Sequence, residues 1–236
     1  MRLVFGSPGR DDGVLLDERL RLAVVTLGAG DDRAWPDTHG EEAVYVLDGA
    51  VELDGVAVPT GGAVILHADA PCRLTAPVGA RLACFSAGLG PPGRAEHRSV
   101  RRERHVVGPS GWYRSGSPGG SQAVWFADST CEGCDVALFR VERDTPGNRG
   151  RTHRHSADEI LLLVEGGIRL GAHAVPTGHA VLIPADTPYA VTSGETKHAF
   201  LNYRPTASIQ RYEGDPDPLP ETGLGRGGEL VGDFLE

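Results

Sequence analysis

A chain that carries the same stretch twice has to accommodate the same fold twice, and this one repeats itself at a fixed spacing. Residues 57–71 read AVPTGGAVILHADAP, and residues 174–188 read AVPTGHAVLIPADTP, an ungapped correspondence 117 positions later. The same offset carries Glu42 onto Glu159 and Gly49 onto Gly166. The 236 residues are therefore expected to form two tandem domains, residues 1–100 and residues 101–236, with a Gly-, Pro- and acid-rich tail from about residue 214. A chain of this length is large enough to build its own core without staples. The tail is expected either to stay mobile or to lie on a neighbouring subunit.

Each copy reads as strands. EEAVYVLDG (41–49) and DEILLLVEGG (158–167) are apolar runs closed by a glycine turn, and AVILHA and AVLIPA each follow Pro-Thr-Gly. Residues 135–142 (DVALFRVE) and 197–204 (KHAFLNYR) are further strand candidates, and no long helical periodicity is present. The 33 glycines and 17 prolines fall between short apolar runs, the punctuation of an all-β chain. Two copies of such a unit predict two packed barrels or sandwiches.

The formal charge of −9 argues against nucleic acid or an anionic membrane surface as partner. No apolar run reaches membrane-spanning length, and the opening MRLVFGSPGRDDG does not read as a secretory signal, so a cytoplasmic location with reduced thiols is expected. Cys131-Glu-Gly-Cys134 has no second pair with which to close a zinc site and is read as two turn cysteines. The polar stretch 93–123, with its basic run RSVRRERH, is read as a solvated connection between the copies.

The second copy carries Gly147, His153, His155, Glu159 and Gly166 in the pattern G-x5-H-x-H-x3-E-x6-G. In a strand, residues two apart share a face, so His153 and His155 project together, and after a turn Glu159 can join them from the next strand. Two imidazoles and a carboxylate inside a barrel make a candidate metal site with open coordination positions. Arg151 falls on the same face and could meet a substrate carboxylate, or equally stand in solvent at a strand start.

This pattern resembles the first motif of the cupin superfamily. The stretch Gly178-His-Ala-Val-Leu-Ile-Pro184-Ala-Asp186-Thr-Pro-Tyr189 is similar to the second, with Asp186 where the family has glycine and Tyr189 where it has a fourth histidine ligand. With the repeat, the whole chain resembles a bicupin: two jelly-roll-like barrels. Read at the 117 offset, the first copy places Pro36 and Thr38 opposite the two histidines and Cys72 opposite Tyr189, keeps Glu42, and carries His39 one residue out of phase. The N-terminal barrel is thus expected to bind no metal.

The resemblance implies one divalent transition metal per chain, Fe, Mn, Ni or Zn, held by His153, His155 and Glu159. Tyr189 is either a fourth ligand as phenolate or a protonated phenol set back from the metal, and the second role is favoured. The leading expectation is a metal-dependent enzyme acting on a small polar, anionic metabolite, by oxygenase-type or by isomerase- or hydrolase-type chemistry. The alternative is a non-catalytic small-molecule binding or sensor module. A homodimer is expected, because exposed sheet edges need cover.

Overall fold

The computed structural model describes residues 3–7, 13–16, 19–35, 40–67, 71–87, 104–117, 121–129, 135–222, 228–233 and 235. Pro36, Thr38, His39, Cys131, Cys134 and most of the basic run lie outside them. The described residues are all-β and build two tandem barrels of like topology. In the N-terminal sheet the order is β10 (Arg104–Val107), β7 (Ala63–Leu66), β5 (Glu42–Leu53), β9 (Ala80–Ala87), β3 (Leu20–Leu27) and β2 (Val14–Leu16). In the C-terminal sheet it is β1 (Val4–Gly6), β18 (Ala180–Ile183), β15 (Glu159–Glu165), β20 (His198–Arg204), β13 (Ala137–Arg143), β12 (Ser121–Asp128), β11 (Tyr113–Ser117) and β23 (Glu229–Leu230).

The offset seen in sequence recurs in the register. Glu42 pairs with Leu66, and Glu159 pairs with Ile183, with every one of these positions moved by 117. A bulge falls between Val46 and Asp48 in β5 and between Leu163 and Glu165 in β15. Gly49 and Gly166 follow these bulges at φ 73 and 63, where a Cβ would run into the carbonyl oxygens of Gly79 and Lys197. Only glycine takes that backbone so close to its neighbour. Thr60 and Thr177 donate their hydroxyls to the carbonyls of Gly49 and Gly166 at 2.9 and 2.8 Å, closing both turns alike.

Two strands lie across the division at residue 100. β1, from the first copy, lies against β18, pairing Val4 with Leu182, whereas β10 lies against β7, pairing His105 with Ile65. Each half thus lends a strand to the other's sheet. The stretch 93–123, expected to be a solvated connection, supplies β10, β11 and the start of β12. β10 is buried on both faces at His105–Val107, and alternation along Tyr113–Ser115 buries one face of β11; the local polarity of the sequence had concealed both.

The two sheets pack back to back. Leu22, Val24, Ile65 and Phe85 from one face Leu138, Leu162, Leu182 and Tyr203 from the other. Phe85 stacks on Tyr203 at 5.4 Å, and Tyr45 meets Phe126 edge-on at 5.5 Å. Each fully buried leucine here contributes about 1.5–3 kcal/mol. The opposite faces of the same strands point into the barrels. The N-terminal interior closes on Val44, Val46, Val58, Leu66, Leu74 and Leu82. The C-terminal interior carries an apolar cluster at Leu161, Leu163, Ile168 and Ile183, and beside it a polar row.

The tail departs from expectation. Residues after Gly214 turn back over the C-terminal barrel, where β22 (Leu219–Pro220) pairs with β21 (Ile209–Tyr212) and Glu221 is 1 % exposed. Further on, β23 pairs with β11, and the amide of Leu235 donates to the carbonyl of Val106. The tail, expected to be mobile or to lie on a neighbouring subunit, instead packs on its own chain and buries Glu221 beside His155.

Candidate functional site

β14 (His153–His155) is three residues long and held from both sides. His153 exchanges backbone hydrogen bonds with Tyr189, 2.9 Å each way, and pairs with Tyr212 of β21. The amide of Asp186 donates to the carbonyl of His155 at 2.7 Å. Asp186 sits at φ 58, the left-handed region that explains why the related motif has glycine there. These bonds turn the rings of His153 and His155 toward each other, 4.9 Å apart and nearly perpendicular, with Tyr189 4.5 Å from His153.

Glu159 opens β15 and Arg204 ends β20, so their side chains meet at the same end of the barrel. Both are 1 % exposed. Arg204 Nη2 lies 3.1 Å from Glu159 Oε2 and Nη1 lies 2.8 Å from Glu221 Oε2, so one guanidinium spans two carboxylates. His155 Nδ1 donates to Glu221 Oε2 at 2.6 Å, and its Nε2 lies 3.4 Å from Arg204 Nη2 and 3.8 Å from Glu159 Oε1. The Asn202 amide donates to Glu159 Oε2 at 2.9 Å. A buried cluster of this kind holds only because each charge has an opposite partner.

The titration of these groups follows from the packing. Burial pushes the Glu159 carboxyl up, but His155, Arg204, and hydrogen bonds from Tyr189 and Asn202 outweigh it and hold the group below its ordinary value. Burial and the Glu159 carboxylate push Tyr189 well above 10, so it stands as a neutral phenol whose hydroxyl serves Glu159. Burial, with His155 second, lowers His153 to about 4. Its Nδ1 donates to the Arg151 carbonyl at 2.9 Å, which leaves Nε2 with the lone pair at neutral pH.

His153, His155, Tyr189, Asn202, Arg204 and Glu221 form one end of a cavity of about 280 Å³, with Glu159 behind them. Arg149 and Arg151 stand at its rim, Phe139, Val141, Val191 and Phe200 line its middle, and Ser121, Arg143 and His198 lie at the far end. Arg151 rests on the Tyr212 ring at 4.6 Å, with Asp215 3.8 Å from its guanidinium. With Arg204 matched by Glu159 and Glu221, the lining arginines Arg143, Arg149 and Arg151 give the rest of the cavity a positive excess, a setting for an anion.

The structure brings His153, His155, Glu159 and Tyr189 to one place and sets Arg151 beside them. Sequence reasoning missed Asn202, Arg204 and Glu221. The first two had a signal: in KHAFLNYR every second residue, His198, Phe200, Asn202, Arg204, faces inward, and three of those are polar. Glu221, 62 residues beyond Glu159 in a tail without periodicity, had none.

A divalent ion needs lone pairs from at least three side chains turned on one point at about 2.0–2.3 Å. Here Glu159 Oε2 already serves Arg204 and Asn202, and His155 Nε2 faces the same guanidinium, whereas the buried Glu159 Oε1 has no hydrogen-bond partner. Among the described residues no three His, Cys, Asp or Glu side chains are grouped to hold an ion. In this arrangement the cation among the carboxylates is Arg204, and His153, His155 and the unpartnered Glu159 oxygen would hold a divalent metal if that guanidinium withdrew.

In the N-terminal barrel the counterpart of His153 is Trp35. Trp35 of β4 (Asp31–Trp35) pairs with Cys72 of β8 (Cys72–Ala76), as His153 pairs with Tyr189, so the first copy is one residue out of step with the 117 offset that pointed to Pro36. Its indole donates to Glu42 Oε2 at 2.8 Å, and its ring fills the space.

No protein-family model matches the chain, and no curated protein does. Solved structures do. The Lactobacillus farciminis oxalate decarboxylase formate complex is 13 % identical, with 86 % of each chain covered and a TM-score of 0.63. A Bacillus subtilis oxalate decarboxylase structure concerned with its Mn(II) centres is 16 % identical over 81 % of this chain and 71 % of that one, with a TM-score of 0.61. A Pseudomonas aeruginosa protein described as glyoxylate-induced is 17 % identical over 86 % and 79 %, with a TM-score of 0.63. At these identities the likeness establishes the fold: this is a cupin-fold protein.

Proposed function

We propose that the C-terminal barrel is the site of an enzyme that binds a small anionic metabolite and moves a proton on it. The observation that carries this reading is the cavity itself, rimmed by Arg149 and Arg151, with a neutral imidazole and a neutral phenol side by side within it. The arginines at the rim attract the anion and orient it. His153 Nε2, uncharged at neutral pH, accepts a proton from the bound ligand. Its ring is aimed by the Nδ1 bond to the Arg151 carbonyl, so the residue that meets the anion also positions the base. Tyr189 and Arg204 hold Glu159 charged and away from the ligand. Phe139 and Phe200 give the middle of the cavity an apolar wall.

The structural neighbours support the fold on which this rests, and the oxalate decarboxylases among them act on a small anion, as their name says. A divalent metal, the cofactor implied by the histidine spacing, enters this barrel only if Arg204 withdraws, and no step here is routed through one. The alternative, a sensor or binding module, uses the same cavity without turnover.

The test is a thermal-shift screen of small carboxylates against their neutral amides. Carboxylates raise the midpoint, and Arg149→Gln/Arg151→Gln cuts their affinity about tenfold or more. Equal effects from acids and amides would sink the reading. Binding without proton exchange at the ligand's acidic carbon, followed in deuterated water, would favour the sensor.

A further inference from the structure

The far end of the cavity is built of polar groups that the proposed chemistry leaves unused. Ser121, Arg143 and His198 stand in one row across three strands, because Ser121 pairs with Arg143 on β12 and β13, and Arg143 with His198 on β13 and β20. All three line the cavity. His198 is 1 % exposed and Ser121 3 %, and neither the imidazole Nδ1 nor the hydroxyl oxygen has a hydrogen-bond partner in the protein. A buried polar atom left unpaired costs about 1–3 kcal/mol, so two of them facing one cavity are the mark of a ligand group. Asn202, at the opposite end of the cavity, likewise has an unpartnered amide oxygen, while its nitrogen serves Glu159.

The chemistry of that group follows from its surroundings. Arg143 is a permanent cation, and its presence, after burial, helps to lower the pKa of His198. A cation, a hydroxyl and an imidazole facing one point suit an anion. Between this row and the Glu159–Arg204 end lie Phe139, Val141, Val191 and Phe200, which offer no polar atom from their side chains. His198 and Asn202 are four residues apart on β20, which separates the two ends by about 13 Å along the strand.

We propose that Ser121, Arg143 and His198 form a second anion-binding pole, and that the ligand of this cavity is an elongated metabolite with an anionic group at each end of an apolar segment. This rests on the anion-binding reading of the same cavity and adds the length and second charge of its ligand. The rows of the N-terminal barrel provide the control. Leu27 pairs with Ala80 there as Arg143 pairs with His198 here, so Arg143→Leu and His198→Ala install residues that this scaffold already folds around.

The experiment is calorimetric titration of the full chain with linear α,ω-dicarboxylates of increasing length and with the matched monocarboxylates. Affinity should rise with length to a maximum and then fall, and at the maximum the dicarboxylate should bind at least about tenfold more tightly than its monocarboxylate. Arg143→Leu and His198→Ala should erase that advantage, and an unchanged thermal midpoint without ligand reports that the variants are folded. Equal binding of mono- and dicarboxylates by the natural chain overturns the second pole and leaves the anion-binding reading standing. The same holds if the variants weaken both classes alike. Failure of every carboxylate to bind removes both.

Discussion

Where the C-terminal barrel turns Arg143, His198, Asn202 and Arg204 inward, the N-terminal barrel has Leu27, Ala80, Cys84 and Ser86 at the matching rows of the same ladders. Tyr189 is matched by Cys72, and His153 by Trp35. The strand order, the bulges and the glycine turns are shared. What differs is a handful of inward positions, and their exchange turns a packed interior into a charged cavity. The filled barrel is a support, because its outer sheet face buries the outer sheet face of the other and its β10 and β1 are traded with it. A scaffold doubled in this way can spend one copy on stability and leave the other open for chemistry.

The largest effect is expected at Arg204. Replacing it by methionine leaves Glu159 and Glu221 facing each other without a cation, at a cost of about 3–5 kcal/mol in denaturant unfolding. Adding Glu221→Gln should recover part of it. The natural chain should purify with far less than one equivalent of transition metal by elemental analysis, and one equivalent or more would contradict the place given to Arg204. In the other barrel, Trp35→Ala opens a cavity and strips Glu42 of its donor, for a loss of similar order, about 3–5 kcal/mol. His153→Ala, at the matching position of the barrel that is already hollow, should cost less than about 1.5 kcal/mol at neutral pH. Equal losses at the two positions would break the contrast between a filled and a hollow barrel.

The next effect is one of pH. His153 is lowered from 6.5 to about 4 by burial, so below pH 6.5 the unfolded chain binds a proton that the folded chain refuses. The stability contributed by the neutral ring is present above pH 6.5 and is lost as pH falls toward 4, at most about 3 kcal/mol. His153→Asn should flatten the stability profile across that window, and an unchanged slope would show that the ring is not shielded. The smallest effect sharpens the likeness. Gly49→Ala and Gly166→Ala force the same collision at the same positive φ, and each should cost about 1–3 kcal/mol. A loss at only one of them would mean that the two turns are not built alike.

Much of this was legible in the chain. The repeat predicted two like units, and short apolar runs predicted strands at EEAVYVLDG, DEILLLVEGG and KHAFLNYR because alternation and length are local properties. His153, His155 and Glu159 were legible for the same reason, since two of them share a strand and the third follows a turn. Arg204 and Glu221 were not, because partnership in a charged cluster depends on which strand ends meet, and that is settled by sheet order. The exchange of β1 and β10 was equally hidden, because three or four residues of strand carry no statement of which sheet they join. The one-residue slip that sets Trp35 opposite His153 shows the limit of an offset read from sequence alone.

The central claim is that one barrel is open to an anion and the other is closed. Calorimetric titration of the natural chain with a carboxylate that raises its thermal midpoint measures this directly through the stoichiometry. The account predicts one site per chain, weakened about tenfold or more by Arg149→Gln/Arg151→Gln and untouched by Cys72→Ser in the N-terminal barrel. Two sites per chain, or one site indifferent to both arginines, would contradict it.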